Sequence, residues 1–133
     1  MYILDTNIVS ALIKGDQKVR QKFDYSLAVG KTILISALTY YEIKRGLLHK
    51  NALRKIDAFA KLCEDVVIVG IDPTAIPEKA AEIHADLRKR GLTIQDVDIL
   101  IAATALTRNL TVVTDDAGFG YVRDVRVENW LRD

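Results

Sequence analysis

The sequence predicts an α/β fold in which a parallel sheet of four or five strands carries helices on both faces. Short apolar runs rich in β-branched residues alternate with longer segments whose apolar residues recur at helical spacing. This alternation is typical of parallel sheets, because a helix carries the chain back between parallel strands. The chain has 133 residues, of which 50% are hydrophobic. We therefore expect one domain over 1–133, with a core that needs neither a disulfide nor a structural zinc.

Five segments have the composition of strands, and they lie at 2–4, 32–35, 66–71, 110–113 and 125–127. The run 66–71 is continuously apolar and mostly β-branched, which favours a strand buried on both faces. Helices are predicted from the spacing of apolar residues between these runs: one that ends at Gly15, one over 17–29, one that begins at Ser36 or Ala37, two over 51–62 and 78–90, and one that ends near 108–109.

Residues that favour helix starts precede several of these segments. Thr6 and Asn7 offer side-chain caps for the first helix, and Pro77 predicts a break or a second start. Thr93 and Asp96 have the spacing of a capping box, with Asp in place of the usual Glu or Gln. On this basis Asp96 is interpreted as a capping residue rather than a direct metal ligand.

The charge balance limits how the protein could bind nucleic acid. The formal net charge is +1, from 19 basic and 18 acidic residues, so any polyanion must bind through a local patch. The single cysteine, Cys63, excludes an internal disulfide and a cysteine metal cage, and it indicates a reducing, cytoplasmic setting. No signal peptide and no membrane-spanning run is visible.

Acidic residues follow several of the predicted strands. Asp5 comes directly after the first strand, and Asp115 and Asp116 follow the fourth. Glu42 lies about two turns into the helix after the second strand, and Asp98 lies near the start of the last helix. Ligands of open parallel sheets bind at the carboxyl ends of the strands, so these side chains can face one edge.

A cluster of carboxylates favours a divalent cation. Like charges at close range repel by roughly 1–4 kcal/mol per pair, unless a cation neutralises them or some are protonated. Oxygen ligands suit Mg²⁺, for which Mn²⁺ can substitute, better than zinc. Neither His49 nor His84 has a partner at ligand spacing. The sequence therefore predicts one Mg²⁺ site at this edge.

Each acidic residue also has a purely structural interpretation. Asp5 could be a turn residue, and Glu42 could lie exposed on an amphipathic helix. Asp115 and Asp116 could form an Asx turn before Gly118. Asp98 lies beside an apolar face, where a carboxylate without a function is unfavourable. The shared location of the residues is what favours a site.

Five segments resemble, in order, those of PIN-domain nucleases, and they look most like the VapC-type toxins of toxin–antitoxin pairs. They are Ile-Leu-Asp-Thr-Asn over 3–7, Ser-Ala-Leu-Thr-Tyr-Tyr-Glu-Ile-Lys-Arg-Gly over 36–46, Asp-Val-Asp-Ile-Leu-Ile-Ala-Ala-Thr-Ala over 96–105, Thr-Val-Val-Thr-Asp-Asp over 111–116 and Val-Glu-Asn-Trp over 127–130. The resemblance covers essentially the whole chain. It departs from the VapC pattern at 115–116, where many of those toxins have Asn-Asn, and at His84, which replaces a frequent aromatic.

The resemblance implies a set of functional residues. The acidic site falls on Asp5, Glu42, Asp98 and Asp116, and Asp96 matches an additional acidic position. Polar residues that support the metal fall on Thr6, Asn7 and Thr114, with Asp115 as an alternative to Asp116. The implied activity is Mg²⁺-dependent hydrolysis of RNA to a 5′-phosphate and a 3′-hydroxyl. The implied partners are RNA, a small antitoxin and a second copy of the chain.

Lys44, Arg45 and Arg88 are candidate contacts to RNA, although each of them, taken separately, is better interpreted as a solvated helix residue. Two other classes of function stay open on the sequence. A receiver-like or phosphatase-like phosphoryl-transfer domain is also an α/β fold with acidic strand ends, but receivers need a Lys after a late strand, and none follows Val113. A PIN module that binds without cleaving would not need the full set of carboxylates.

Overall fold

The computed structural model describes residues 1–132, and these residues contain a five-stranded sheet whose neighbouring strands are all parallel. The strands are β1 Tyr2–Leu4, β2 Ile33–Ser36, β3 Val67–Val69, β4 Thr111–Val113 and β5 Arg126–Glu128. Their order is β3-β2-β1-β4-β5. The predicted fold class is confirmed, with the higher of the two predicted strand numbers. Residue 133 of the predicted domain lies outside the described residues.

Six helices pack against this sheet: α1 Thr6–Lys14, α2 Gln17–Ala28, α3 Ala37–His49, α4 Leu53–Asp65, α5 Ala75–Lys89 and α6 Asp96–Arg108. A short 3₁₀ helix, Ala117–Tyr121, follows β4. Adjacent strand residues point to opposite faces, so Ile3 packs with α5 and α6 while Leu4 packs with α1 to α4. Both faces are therefore covered. Within residues 1–132, no helix has the length and apolarity to cross a bilayer.

The strand order places a reversal point at the centre of the sheet. The chain builds outward from β1 through β2 to β3, and then returns to form β4 on the other side of β1. At such a point the two connections leave in opposite directions, which opens a crevice at the carboxyl ends of the strands. The segments that leave β1 and β4 begin with Asp5 and Thr114.

Two of the predicted helix starts are wrong. The N-cap of α1 is Asp5, whose Oδ1 accepts from the backbone N–H of Thr6 at 2.8 Å. The Asn7 side chain is engaged across the sheet instead. Helix α6 begins after Gln95 without a side-chain cap, so Thr93 forms no capping box. Gly15, which was predicted to end the first helix, has a positive φ, as a left-handed helix end requires, and so do Gly30 after α2 and Gly91 after α5.

Two further predictions are corrected around β3. The run 66–71 is not buried on both faces, because β3 is an edge strand that pairs only with β2. Val67 and Ile68 are accordingly 49% and 44% exposed. Pro77 does not break a helix either, since it lies in the first turn of α5, where its missing N–H has no helical partner to lose.

Candidate active site

Asp5 is the most enclosed of the acidic residues, with only 5% of its surface exposed. Its Oδ2 accepts from Thr114 Oγ1 at 2.8 Å and from Asn7 Nδ2 at 3.2 Å. Burial raises the pKa of Asp5, while the hydrogen bonds from Thr114 and Thr6 oppose that rise. Asp5 therefore caps α1 with one oxygen and is held toward β4 through the other.

Thr114 and Asn7 tie the ends of β1 and β4 together. Asn7 Nδ2 also donates to Thr114 Oγ1 at 3.3 Å, and Asn7 Oδ1 accepts from the backbone N–H of Asp115 at 3.1 Å. Thr114 Oγ1 further accepts from the backbone N–H of Asp116 at 2.9 Å. Both neutral side chains thus fix the backbone of the loop that carries Asp115 and Asp116.

Glu42 reaches the same region from α3. Thr6 Oγ1 donates to Glu42 Oε1 at 3.0 Å, which links α3 to the first residue of α1. Ser36 Oγ caps α3 by accepting from the backbone N–H of Leu38, so the helix starts directly where β2 ends. Because α3 starts so close to the strand, Glu42 in its second turn lies near the strand ends.

Asp98 joins these residues from the first turn of α6, where it is close enough for the charges of the other three carboxylates to act on it. Burial raises its pKa to about 6, and the negative charges of Asp5, Asp116 and Glu42 add to the rise. Asp98 also lies within hydrogen-bonding range of Asp116. A hydrogen bond between two carboxyl groups needs a proton on one of them. The site therefore retains a proton more strongly than an ordinary carboxylate does.

Asp115 and Asp116 turn in opposite directions. Asp116 lies toward Asp98, and its Oδ1 accepts from the backbone N–H of Gly118 at 2.8 Å, so it forms the Asx turn as well. Asp115 accepts from Asn129 Nδ2 at 2.7 Å and lies 3.3 Å from Arg132 Nε. The geometry thus places Asp116 in the group of carboxylates and Asp115 against the C-terminal segment.

Asp96 lies outside this group. It is exposed at the first position of α6, and it is not among the charges that raise the pKa of Asp98. The Asp96 side chain makes no capping hydrogen bond either, since the cap position belongs to Gln95.

Gly118 is a residue of the site that the sequence analysis treated only as part of a turn. A Cβ at this position would lie 3.1 Å from Asp116 Oδ1 and 3.2 Å from Ile94 Cγ2. Any larger residue must therefore displace the Asp116 carboxylate or the loop before α6. The spacing Asp-x-Gly in the loop after a strand is the signal in the sequence that could have identified it.

The three predicted RNA contacts are dispersed. Lys44 lies close enough to Cys63 on α4 to oppose the rise that burial causes in the pKa of that thiol. The Arg45 guanidinium stacks on the ring of Tyr41, 5.1 Å from its centre. Arg88 lines a shallow depression together with Ile94, the residue that contacts the Gly118 turn. Of the three, Arg88 is the one that the structure connects to the loops around the carboxylates.

The chemistry of these side chains fits a hard divalent cation, since every candidate ligand is a carboxylate and no thiol or imidazole takes part. Among residues 1–132, however, no three acidic, histidine or cysteine side chains stand close enough together to hold an ion as they are placed. The hydrogen bonds of Asp5 to Thr114 and of Glu42 to Thr6 instead satisfy individual oxygens.

A parallel sheet of this order, with acidic residues at its reversal point, defines a class of α/β domains. Residues 2–125 match the PIN domain family, and the chain belongs to that family. The predicted family is therefore confirmed.

Within the family, the chain is similar to VapC-type proteins along its whole length. Ribonuclease VapC2 of Rickettsia felis is 29% identical over 98% of each chain, and toxin FitB of Neisseria gonorrhoeae is 28% identical over 100% of each. Among solved structures, VapBC2 from Rickettsia felis bound to a promoter DNA fragment superposes with a TM-score of 0.89. That match has 26% identity and covers 97% of this chain and 98% of the other.

Proposed function

We propose that this protein is a Mg²⁺-dependent endoribonuclease, with Asp5, Glu42, Asp98 and Asp116 as its metal-binding carboxylates. The observation that carries the proposal is that these side chains meet at the carboxyl ends of β1 and β4, where Thr6 links Glu42 to the start of α1 and where Thr114 and Asn7 hold Asp5. The charges of the other three carboxylates help to raise the pKa of Asp98 to about 6. Folding does not favour such a group for stability, because like charges repel at short range. Membership of the PIN domain family supports a functional explanation for the group.

A bound divalent cation supplies Lewis-acid stabilisation of charge that develops on a phosphodiester. The side chains of this protein would position that cation and the RNA phosphate. Asp5 is held by Thr114 and Asn7 so that its carboxylate faces the crevice, and Thr6 orients Glu42. In the proposed hydrolysis a water molecule would attack the phosphorus and the bond to the 3′ oxygen would break, so no covalent intermediate with the protein would form. The products are a 5′-phosphate and a 3′-hydroxyl.

The proposal is tested by incubating the purified protein with mixed cellular RNA, with Mg²⁺, Mn²⁺ or EDTA. We expect cleavage with either metal ion and none with EDTA, and we expect the new 5′ ends to accept a ligated adapter without prior phosphorylation. Asp98→Asn removes the charge that binds the cation and should abolish cleavage.

The matched control is Asp57→Asn, which makes the same change at an exposed position on α4 where Asp57 pairs only with Lys61. This variant should cleave like the wild type. Cleavage that persists in EDTA, or in the Asp98→Asn variant, would contradict the proposal.

We further propose that the protein is the toxin of a toxin–antitoxin pair that inhibits translation in the cytoplasm, and that it forms a homodimer. The support is its full-length similarity to ribonuclease VapC2 and toxin FitB, and to the VapBC2 structure. Induced expression should stop growth only when the carboxylates are intact. Growth arrest by Asp98→Asn to the same degree as by the wild type would separate toxicity from nuclease activity and contradict this proposal.

A further inference from the structure

A groove opens beside the carboxylates, between α1, α3 and the start of α4, and has a volume of about 260 Å³. One end lies at Thr6 and Glu42, which are joined by the 3.0 Å hydrogen bond. Ile13, Ile43 and Leu47 supply its apolar lining. The groove therefore begins at a proposed metal ligand and leads away from it along two helices.

Three lysines line the groove beyond its apolar part: Lys14 at the end of α1, Lys50 just after α3 and Lys55 in the first turn of α4. Among residues 1–132, none of them forms an ion pair. Lys14 and Lys50 lie where a cation favours a helix end, but Lys55 opposes the dipole of α4, whose first turn has no acidic residue. Helix stability therefore does not explain the positive charge of Lys55.

Gly46 lies in the interior of α3 and also lines the groove. Glycine is among the poorest helix formers, so a glycine within a helix usually has a packing reason. No such reason is present, because a Cβ at Gly46 would meet no atom of residues 1–132 within 4 Å. The missing side chain keeps the groove open without serving the fold.

From these observations we infer that the groove binds one unpaired nucleotide of the RNA next to the cleaved phosphate, with Lys14, Lys50 and Lys55 contacting the phosphates that follow it. This inference rests on the proposed nuclease function. The volume is near the lower limit of small-ligand pockets and is too small for a duplex. An apolar lining accepts the face of a base, and lysines neutralise phosphates without reading sequence. The groove is thus a site for single-stranded RNA, which makes the target an unpaired segment.

RNA binding can be measured apart from cleavage, by fluorescence anisotropy of a labelled single-stranded oligonucleotide in EDTA. Replacing all three lysines by Gln should weaken binding by at least about tenfold, and it should lower the slope of log affinity against log salt by about 2. The matched control is Lys31→Gln, an exposed lysine before β2, at the opposite edge of the sheet. Its affinity should stay within about twofold of the wild type.

Gly46 gives a second, independent test. Gly46→Leu should raise the melting temperature, because leucine favours a helix and its Cβ has open space around it. The same change should raise KM for RNA about tenfold with little change in kcat, because the side chain fills the groove. Ala81→Leu, on an exposed face of α5, is the control for adding a leucine to a helix. It should leave KM unchanged.

The results separate this inference from the nuclease proposal. If the wild type cleaves RNA but the triple lysine variant binds RNA as tightly as the wild type with the same salt slope, the groove inference is overturned and the groove is left to a protein partner. An unchanged KM in Gly46→Leu also overturns it. If the lysine variant loses RNA affinity but the wild type cleaves nothing in Mg²⁺, the groove stands and the nuclease proposal fails.

Discussion

Asp98→Asn should stabilise the metal-free protein while it abolishes cleavage. The pKa of Asp98 rises from 3.8 to about 6 in the folded chain, so the ionised carboxylate is less favourable folded than unfolded. A fully realised shift of this size corresponds to ~3 kcal/mol. Asp98 is only half-buried, and solvent screening reduces the figure to about 1 kcal/mol. For a chain of this length, that is about 4 °C in melting temperature.

The direction of the Asp98 pKa shift determines how the stability difference between the wild type and the variant depends on pH. Because the folded state binds the Asp98 proton more tightly, wild-type stability falls as pH rises from about 4 to about 6 and stays lower above that range. The asparagine side chain of the variant carries no charge, so the variant should be more stable than the wild type at pH 7.5 and equal to it near pH 4. Thermal unfolding in EDTA at these two pH values measures the difference.

The second part of this experiment repeats the thermal unfolding in the presence of Mg²⁺. Mg²⁺ that binds only the folded protein adds about 1.4 kcal/mol at tenfold excess over its dissociation constant. The wild type should therefore gain melting temperature with Mg²⁺, and Asp98→Asn should gain much less. If the variant is equally destabilised at both pH values, or gains as much from Mg²⁺ as the wild type, the electrostatic reasoning is refuted.

Three other substitutions test the geometry around the site, each by RNA cleavage in Mg²⁺ and thermal unfolding. Gly118→Ala forces a Cβ to 3.1 Å from Asp116 Oδ1, so cleavage should fall about tenfold or more while unfolding changes by less than ~2 kcal/mol; full activity would show that Asp116 is free to move. Asp115→Ala should keep most activity, because Asp115 faces the C-terminal segment, and a loss equal to that of Asp116→Ala would reverse their assignment. Thr114→Val removes the hydroxyl that donates to Asp5 at 2.8 Å. This change should lower the free energy of unfolding by about 1–3 kcal/mol. It should also move the acidic limb of the pH profile of cleavage to higher pH, because the bond lowers the pKa of Asp5. An unchanged pH profile would contradict that role of the bond.

The sequence predicted the alternation of strands and helices because apolar periodicity and glycine helix ends are local signals. It could not predict the position of β3 at the edge of the sheet, since the run 66–71 looks the same whether one strand or two lie beside it. Edge placement leaves Val67 and Ile68 half exposed. Strand order depends on how the helices pack, and no single segment encodes it.

The predictions of helix-capping residues were wrong for a different reason. Thr6 and Asn7 are good caps by residue type, but both side chains have partners elsewhere: Thr6 binds Glu42, and Asn7 binds Thr114. Asp5 therefore caps α1 while it also belongs to the carboxylate group. A residue-type preference cannot decide between a local partner and a distant one.

Asp115 and Asp116 are adjacent in sequence, so the sequence alone does not say which of them joins the carboxylate group. Tertiary contacts decide it. Both residues are exposed, and both follow β4. The difference comes from Asn129 and Arg132, which engage Asp115 from a segment 14 or more positions away. With Asp115 held there, the Thr114 hydroxyl and the Gly118 turn direct Asp116 toward Asp98. The C-terminal segment thus helps to set which carboxylate enters the site.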